Sequence, residues 1–327
     1  MSIADVNYLK GQKEHQATAK QLLSIMEPLI RCHSPSGKEQ QVAECILTFV
    51  KEKCPDWTAF SDGAEGIGNV IAVPTKYLDE TNKFASTENL PVLMAHMDTV
   101  DKNNSKQLSA YTFPDSIDDC GIVGGDQGFV LGFDDKAGIA LILYLMNTCQ
   151  DPDFKVLFTV QEERTEREDL RVRGPDGDRA RSGGGGIQYA LMRYPAFFDT
   201  SLWTIMVDRA EDKSINVKDS IREKPSDIVF KYKGQDTCLS AFRMRIEDIS
   251  GALKTPMVSC TSDAKADTYN ICVSRGPSYS SVNLACGGYH EHHPGDYLCL
   301  YETVRTLRVV EECIRQQKGL YQASLLQ

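Results

Sequence analysis

Val156-Leu157-Phe158-Thr159-Val160-Gln161-Glu162-Glu163 is an apolar run that stops on two acidic residues. A short run rich in β-branched and aromatic residues reads as a strand, and the acidic pair marks its end. Other runs stop in the same way. Val92-Leu93-Met94-Ala95 leads into His96-Met97-Asp98, and Thr204-Ile205-Met206-Val207 leads into Asp208. A run over 281–286 is followed by histidines at 290, 292 and 293, while Asp134-Asp135-Lys136-Ala137-Gly138 precedes an apolar helix. Histidines and carboxylates gathered at strand ends are the donor set that a pair of hydrolytic zinc ions takes. The pattern implies a metal-dependent hydrolase, a peptidase before other kinds.

Around these runs, strands and helices alternate. Residues 16–53 read as two helices joined by the turn-rich loop His33-Ser34-Pro35-Ser36-Gly37-Lys38-Glu39. Asn69 to Val73 and Val92 to Ala95 read as short apolar strands, the second buried on both faces, and residues 101–130, polar and rich in Asp and Gly, as a connection over the surface. Ala137 to Thr148 is apolar nearly all round, as expected of a helix pressed against a sheet. After strand 155–161 come helix 187–194, strands 203–208 and 227–233, helix 238–252, strand 281–286 and a last helix over 297–317. This alternation predicts an α/β fold of three layers, αβα, with a mainly parallel central sheet. The chain, 1–327, is expected to form a single catalytic domain. Residues 164–186 break the pattern with six arginines, five acids and Gly183-Gly184-Gly185-Gly186. They read as a solvated loop, and their start beside the acidic pair gives a second reading as a flap over the site.

Bulk properties narrow the partners. A net charge of −10 disfavours nucleic acid and anionic membranes. The opening stretch MSIADVNYLKGQKEHQ lacks the apolar core of a secretory signal, and no run is long and apolar enough for a membrane span. The eleven cysteines are odd in number, scattered and without a CxxC pair. A reduced, cytoplasmic protein is expected.

Each residue type suits its place. His96 and Asp98 are two apart on a strand, so they share a face, and a zinc-bound imidazole commonly gives its other N–H to a carboxylate such as Asp98. A carboxylate at the start of a helix, Asp134 or its neighbour Asp135, can span two cations about 3.5–4 Å apart. Glu162 and Glu163 can divide ligation from general-base work. Adjacent strand residues point oppositely, so both can serve only where the strand has ended. Spacing alone leaves His290, His292 and His293 open as the last ligand.

With these residues together, the chain resembles the co-catalytic zinc peptidases related to peptidase T and to the lidded amino- and carboxypeptidases. The matching stretches are LMAHMDTV (93–100), LGFDDKAGIA (131–140), FTVQEE (158–163), IMVDRA (205–210) and VNLACGGYHEHH (282–293), with SPSGKE (34–39) and GNVIAVP (68–74) nearer the start. The resemblance implies two Zn2+, with Co2+ or Mn2+ as substitutes. His96 and Asp208 would bind one ion, Glu163 and a late histidine the other, and Asp134 would bridge them. Asp98 would support His96, and Glu162 would be the general base. A Y-x-x-H pattern in the resembling proteins favours His292, after Tyr289, with His290 second. Asp at the 208 position favours an aminopeptidase acting on small peptides. The alternatives are a carboxypeptidase or N-acyl-amino-acid amidohydrolase, and an inactive scaffold of the same fold. Only 83 residues separate Asp208 from His292, too few for core elements and a separate lid domain as well.

Overall fold

Two helices, α1 (Lys13–Arg31) and α2 (Gln40–Lys53), lead the described part of the chain. The structure, a computed structural model, describes residues 13–63, 68–79, 81, 83–100, 108, 111, 113, 121–124, 128–163, 185–208, 227–232, 234–262, 267–276, 278–289, 291–323 and 325. Then come β1 (Trp57–Ser61), β2 (Val70–Pro74), β3 (Leu90–His96), β4 (Ile122–Gly124), α3 (Phe133–Thr148) and β5 (Lys155–Thr159). They are followed by α4 (Gly185–Arg193), α5 (Pro195–Asp199), β6 (Ser201–Val207), β7 (Ile228–Tyr232), β8 (Gln235–Asp236), α6 (Ser240–Ala252), β9 (Ser259–Ser262) and α7 (Asp267–Arg275). The last elements are β10 (Ser281–Leu284), β11 (Gly288–Tyr289), β12 (Tyr297–Cys299), α8 (Leu300–Arg315) and α9 (Gln317–Ala323).

The main sheet runs β1-β2-β5-β3-β6-β10-β7-β8, with β9 paired to β7. Its centre, β5-β3-β6-β10, is parallel, whereas β1-β2, β2-β5, β10-β7 and β7-β8 are antiparallel. The expectation of a parallel sheet therefore holds for the middle, and the flanks make the sheet mixed. Every residue of β2, β3 and β5 is buried, the signature of strands covered on both faces.

Alternate side chains on these strands go to opposite layers. Leu93, Ala95, Val156, Phe158, Ile205, Val207, Val282 and Leu284 join a core made with α1, α2, α3, α6 and α8. Val92, Met94, Leu157 and Met206 join a second core with α4, α5 and α7. Burying one such aliphatic side chain contributes about 1.5–3 kcal/mol, so the parity of each strand is firmly set. A slip of one residue would invert it.

A small sheet, β11-β12-β4, lies apart from the main one. It corrects two expectations. Ile122–Gly124, assigned to a surface connection, is a strand, with Val123 buried. The last helix begins at Leu300, because Tyr297–Cys299 pair on one side with β11 and on the other with β4. Strand β1 and helix α7 have no counterpart in the sequence reading. The loop at 164–186 falls outside the described residues except for its last two glycines, which begin α4. No helix among the described residues is long and apolar enough to cross a membrane.

Candidate active site

At the carboxyl ends of the central strands, the side chains that follow the second-core parity form a row. His96 follows Val92 and Met94 on β3, Thr159 lies opposite it on β5, and Asp208 follows Met206 beyond β6. His96 is buried, with Nε2 at 3.6 Å from Asp208 Oδ1 and 3.1 Å from Asp134 Oδ1.

Asp134 arrives from the other layer, at the start of α3. The turn before it is held by Asp296, whose carboxylate accepts the N–H of Leu131 (2.7 Å) and of Gly132 (2.8 Å). Gly138 allows α3 to sit so close. A Cβ there would be 1.9 Å from the Val207 carbonyl oxygen at the end of β6. Asp135, the rival in the dipeptide, is occupied with the backbone. Its Oδ2 accepts the His96 N–H (3.0 Å) and its Oδ1 the Gly138 N–H (3.1 Å).

The acidic pair lies past the strand. β5 ends at Thr159, and Gln161 takes a left-handed φ of +60° that turns the chain. Asp98 fastens that turn: its carboxylate accepts the N–H of Glu162 (2.9 Å) and of Glu163 (3.0 Å), and the Ser36 hydroxyl donates to it (2.5 Å). Toward His96 the nearer group is the Asp98 carbonyl, 2.9 Å from Nδ1, against 3.5 Å for Oδ1. Asp98 thus touches the imidazole chiefly through its backbone, and its side chain organises the acidic turn.

His292 lies in the β11–β12 connection, also with a left-handed φ, +61°. Its Nε2 contacts Glu163 Oε1 and stands 3.1 Å from Asp134 Oδ2. The connection is anchored by the Tyr289 hydroxyl, which donates to the Glu302 carboxylate (2.6 Å). His293 is exposed and its Nδ1 lies 2.8 Å from the Glu291 carbonyl oxygen. His290 lies outside the described residues.

Among the described residues, three sets of donors come within 4.8 Å of one another: His96, Asp134 and Asp208; Asp134, Glu163 and His292; and His96, Glu162 and Glu163. The first two meet at Asp134. The structure therefore brings together all five residues named as ligands, with Glu162 beside them.

The electrostatics of this cluster describe a demand for positive charge. Burial pushes the Glu162 carboxyl well up, with Glu163 and Asp267 adding to it and His96 opposing. Burial and Asp134 push Glu163 up to about 7, and burial and Asp134 push Asp208 up to about 6. Burial alone would lower the His292 imidazole, yet Asp134 and Glu163 raise it to about 10. Asp134 is held well below the usual carboxylate range by His292 and His96, against the effect of burial. Among the described residues the ion pairs of this cluster come from imidazoles, with no Lys or Arg within range. Buried carboxylates in such number call for cations. The N/O donor set fits zinc and also suits cobalt or manganese.

A three-layer αβα sandwich with a parallel-centred sheet, carrying His and carboxylate donors at the carboxyl edge, is the class that fold and site define. Among solved structures the chain is similar to a TET aminopeptidase from a marine sediment Thaumarchaeota archaeon, at 12% identity and TM-score 0.64 over 94% of this chain and 99% of that one. It is also similar to an aminopeptidase from the archaeon Desulfurococcus kamchatkensis, at 14% identity and TM-score 0.60 over 93% and 98% of the two chains. Aminopeptidase PepT from Bacillus cereus is a further match, at 14% identity and TM-score 0.60 over 91% and 98%. The chain shares the fold of these aminopeptidases. No protein-family profile matches it, and no curated protein sequence does.

Proposed function

We propose that the chain is a metallopeptidase that removes residues from the amino end of small peptides with two bound divalent cations. The observation that carries this reading is the meeting of two donor sets at Asp134. His96 and Asp208 would hold one ion and Glu163 and His292 the other, with Asp134 available to both sets; zinc is the first choice, cobalt or manganese the substitutes. When bound, such ions acidify a water and polarise the scissile carbonyl. Glu162, beside these donors, would be the general base, its carboxylate taking up and giving back the proton. Asp98 works by positioning: it fixes the turn that presents Glu162 and Glu163.

The whole chain is read as one catalytic domain without a lid. Support comes from β7, β8, β9 and β10, which precede His292 and all join the main sheet. Residues 164–186, which leave from Glu163, are assigned to access and substrate choice. A cytoplasmic location is part of the same reading, supported by ten free cysteines among the described residues.

Elemental analysis of protein prepared without chelator should give about two equivalents of divalent metal. A panel of short peptides with free or blocked termini should release product only where the amino terminus is free. No tight metal after reconstitution, or cleavage indifferent to the amino terminus, would overturn the respective half of the proposal.

The histidine cluster gives a sharper check. His292→Ala should empty one metal site and cost most of the rate, since it removes one of the three ligand atoms in the set with Glu163 and Asp134. His293→Ala, at an exposed position, should leave metal titrations unchanged. A metal loss found only in His290→Ala would move the ligand to that residue.

A further inference from the structure

A second group of buried polar atoms borders the site on the side of α7. Asp267, the first residue of that helix, is fully buried; its Oδ2 accepts a hydrogen bond from Thr159 Oγ1 (2.7 Å), and its Oδ1 has no partner. The Thr268 hydroxyl, the Tyr232 hydroxyl and Asn283 Oδ1 are likewise buried without partners. Tyr232 lies beside Thr268 and Asn283, and neither contact has hydrogen-bond geometry. Asn283 donates from Nδ2 to Asp208 Oδ2 (3.0 Å), which leaves its oxygen as the free end.

These atoms adjoin the reacting end of the sheet. Thr159, which holds Asp267, is the β5 partner of His96. Asn283 touches Asp208, and Glu162 feels the charge of Asp267. The row Thr159, His96, Asp208 therefore continues into Asn283, with Asp267 over it.

Buried polar atoms are nearly always paired, and a group left unpaired is costly. Several together, beside a site for chemistry, are a place for a polar group that comes from outside. The donor and acceptor inventory says which. Asp267 Oδ1 and Asn283 Oδ1 can only accept, and the two hydroxyls can accept or donate. A carboxylate placed there would meet the charge of Asp267 and find too few donors. An ammonium offers three N–H groups and the opposite charge.

We propose that Asp267, with Asn283 and the hydroxyls of Thr268 and Tyr232, binds a protonated amine of the peptide substrate. The assignment rests on the metallopeptidase reading and gives that reading its substrate class: peptides that bring a positive amine to within reach of Glu162. The amine can be the amino terminus or the side chain of a basic residue.

The test is calorimetric binding to the metal-loaded protein, with amino alcohols that cannot be hydrolysed. Leucinol carries only the α-amine, Nα-acetyl-lysinol only a side-chain amine, and N-acetyl-leucinol neither. Wild-type protein should bind at least one amine more tightly than N-acetyl-leucinol. Asp267→Asn should weaken that binding by roughly 10- to 100-fold, with metal content and N-acetyl-leucinol binding unchanged. A loss confined to leucinol supports the proposal and gives the subsite to the amino terminus; one confined to Nα-acetyl-lysinol supports it and gives the subsite to a basic side chain. A variant that keeps the full preference overturns the proposal, as does a wild-type protein that binds both amines no better than N-acetyl-leucinol. Should Asp267→Asn fail to fold, the wild-type comparison still decides against or for it, and Thr268→Val should lower amine binding several-fold. Failure of the metallopeptidase reading looks different: no metal is held and no peptide is cleaved, whatever the amines do.

Discussion

Glu162→Gln should lower the rate of peptide hydrolysis by roughly 10²- to 10⁴-fold, the range for loss of a positioned general base, while both metal sites stay filled. Glutamine has nearly the same shape, so the turn held by Asp98 through the Glu162 and Glu163 N–H groups should survive. What it lacks is a basic oxygen for the proton. Glu163→Gln should do the opposite in kind. Its carboxylate contacts His292 and belongs to the set with Asp134, so its loss should empty one site and reduce the rate through the metal. Stopped assays on protein of measured metal content separate the two outcomes. Metal loss in Glu162→Gln with retention in Glu163→Gln would exchange their roles.

The second large effect is expected at Asp134. It is the residue common to two donor sets, with Oδ1 at 3.1 Å from His96 and Oδ2 at 3.1 Å from His292. Asp134→Ala should therefore release both ions together, where Asp208→Ala or His292→Ala should release one. Affinity should fall by more than the roughly 10- to 100-fold typical of residues that merely orient a ligand, and hydrolysis should drop to background. Folding is expected to survive, because the turn before α3 is held by Asp296 and the helix itself by its apolar core contacts. Metal-competition titration against a coloured chelator reads this directly. Retention of one tight ion in Asp134→Ala would show that the two sets are independent.

Much of this arrangement is legible in the chain because β3, β5 and β6 are built around apolar runs. A His or Asp that ends such a run, as His96 and Asp208 do, stands out against its neighbours. The flanks are less legible. Trp57-Thr58-Ala59-Phe60-Ser61 is only half-buried beyond its tryptophan, so its pattern is too weak to mark an edge strand. Tyr297-Leu298-Cys299 adjoins an amphipathic helix without a break, and pairing with β4 and β11 makes it a strand. Asp98 shows how proximity in sequence misleads. Its nearness to His96 suggests a carboxylate–imidazole pair, yet its side chain serves a turn 64 residues later. Asp267 has no local mark at all, since no apolar run leads into it and its partner Thr159 is 108 residues away.

The donors of the cluster come from β3, the start of α3, the turn after β5, the end of β6 and the stretch after β11. Each of the two sets that meet at Asp134 draws on three of these segments. The cluster is therefore a property of the finished tertiary structure, and only there would the proposed ions meet complete donor sets. Within it the carboxylates repel one another, and Asp134, Asp208 and Glu163 in turn raise the His96 and His292 imidazoles that lie among them. On the proposed function, loading with metal would then be an exchange in which protons leave as ions enter, and metal uptake would release protons to the buffer.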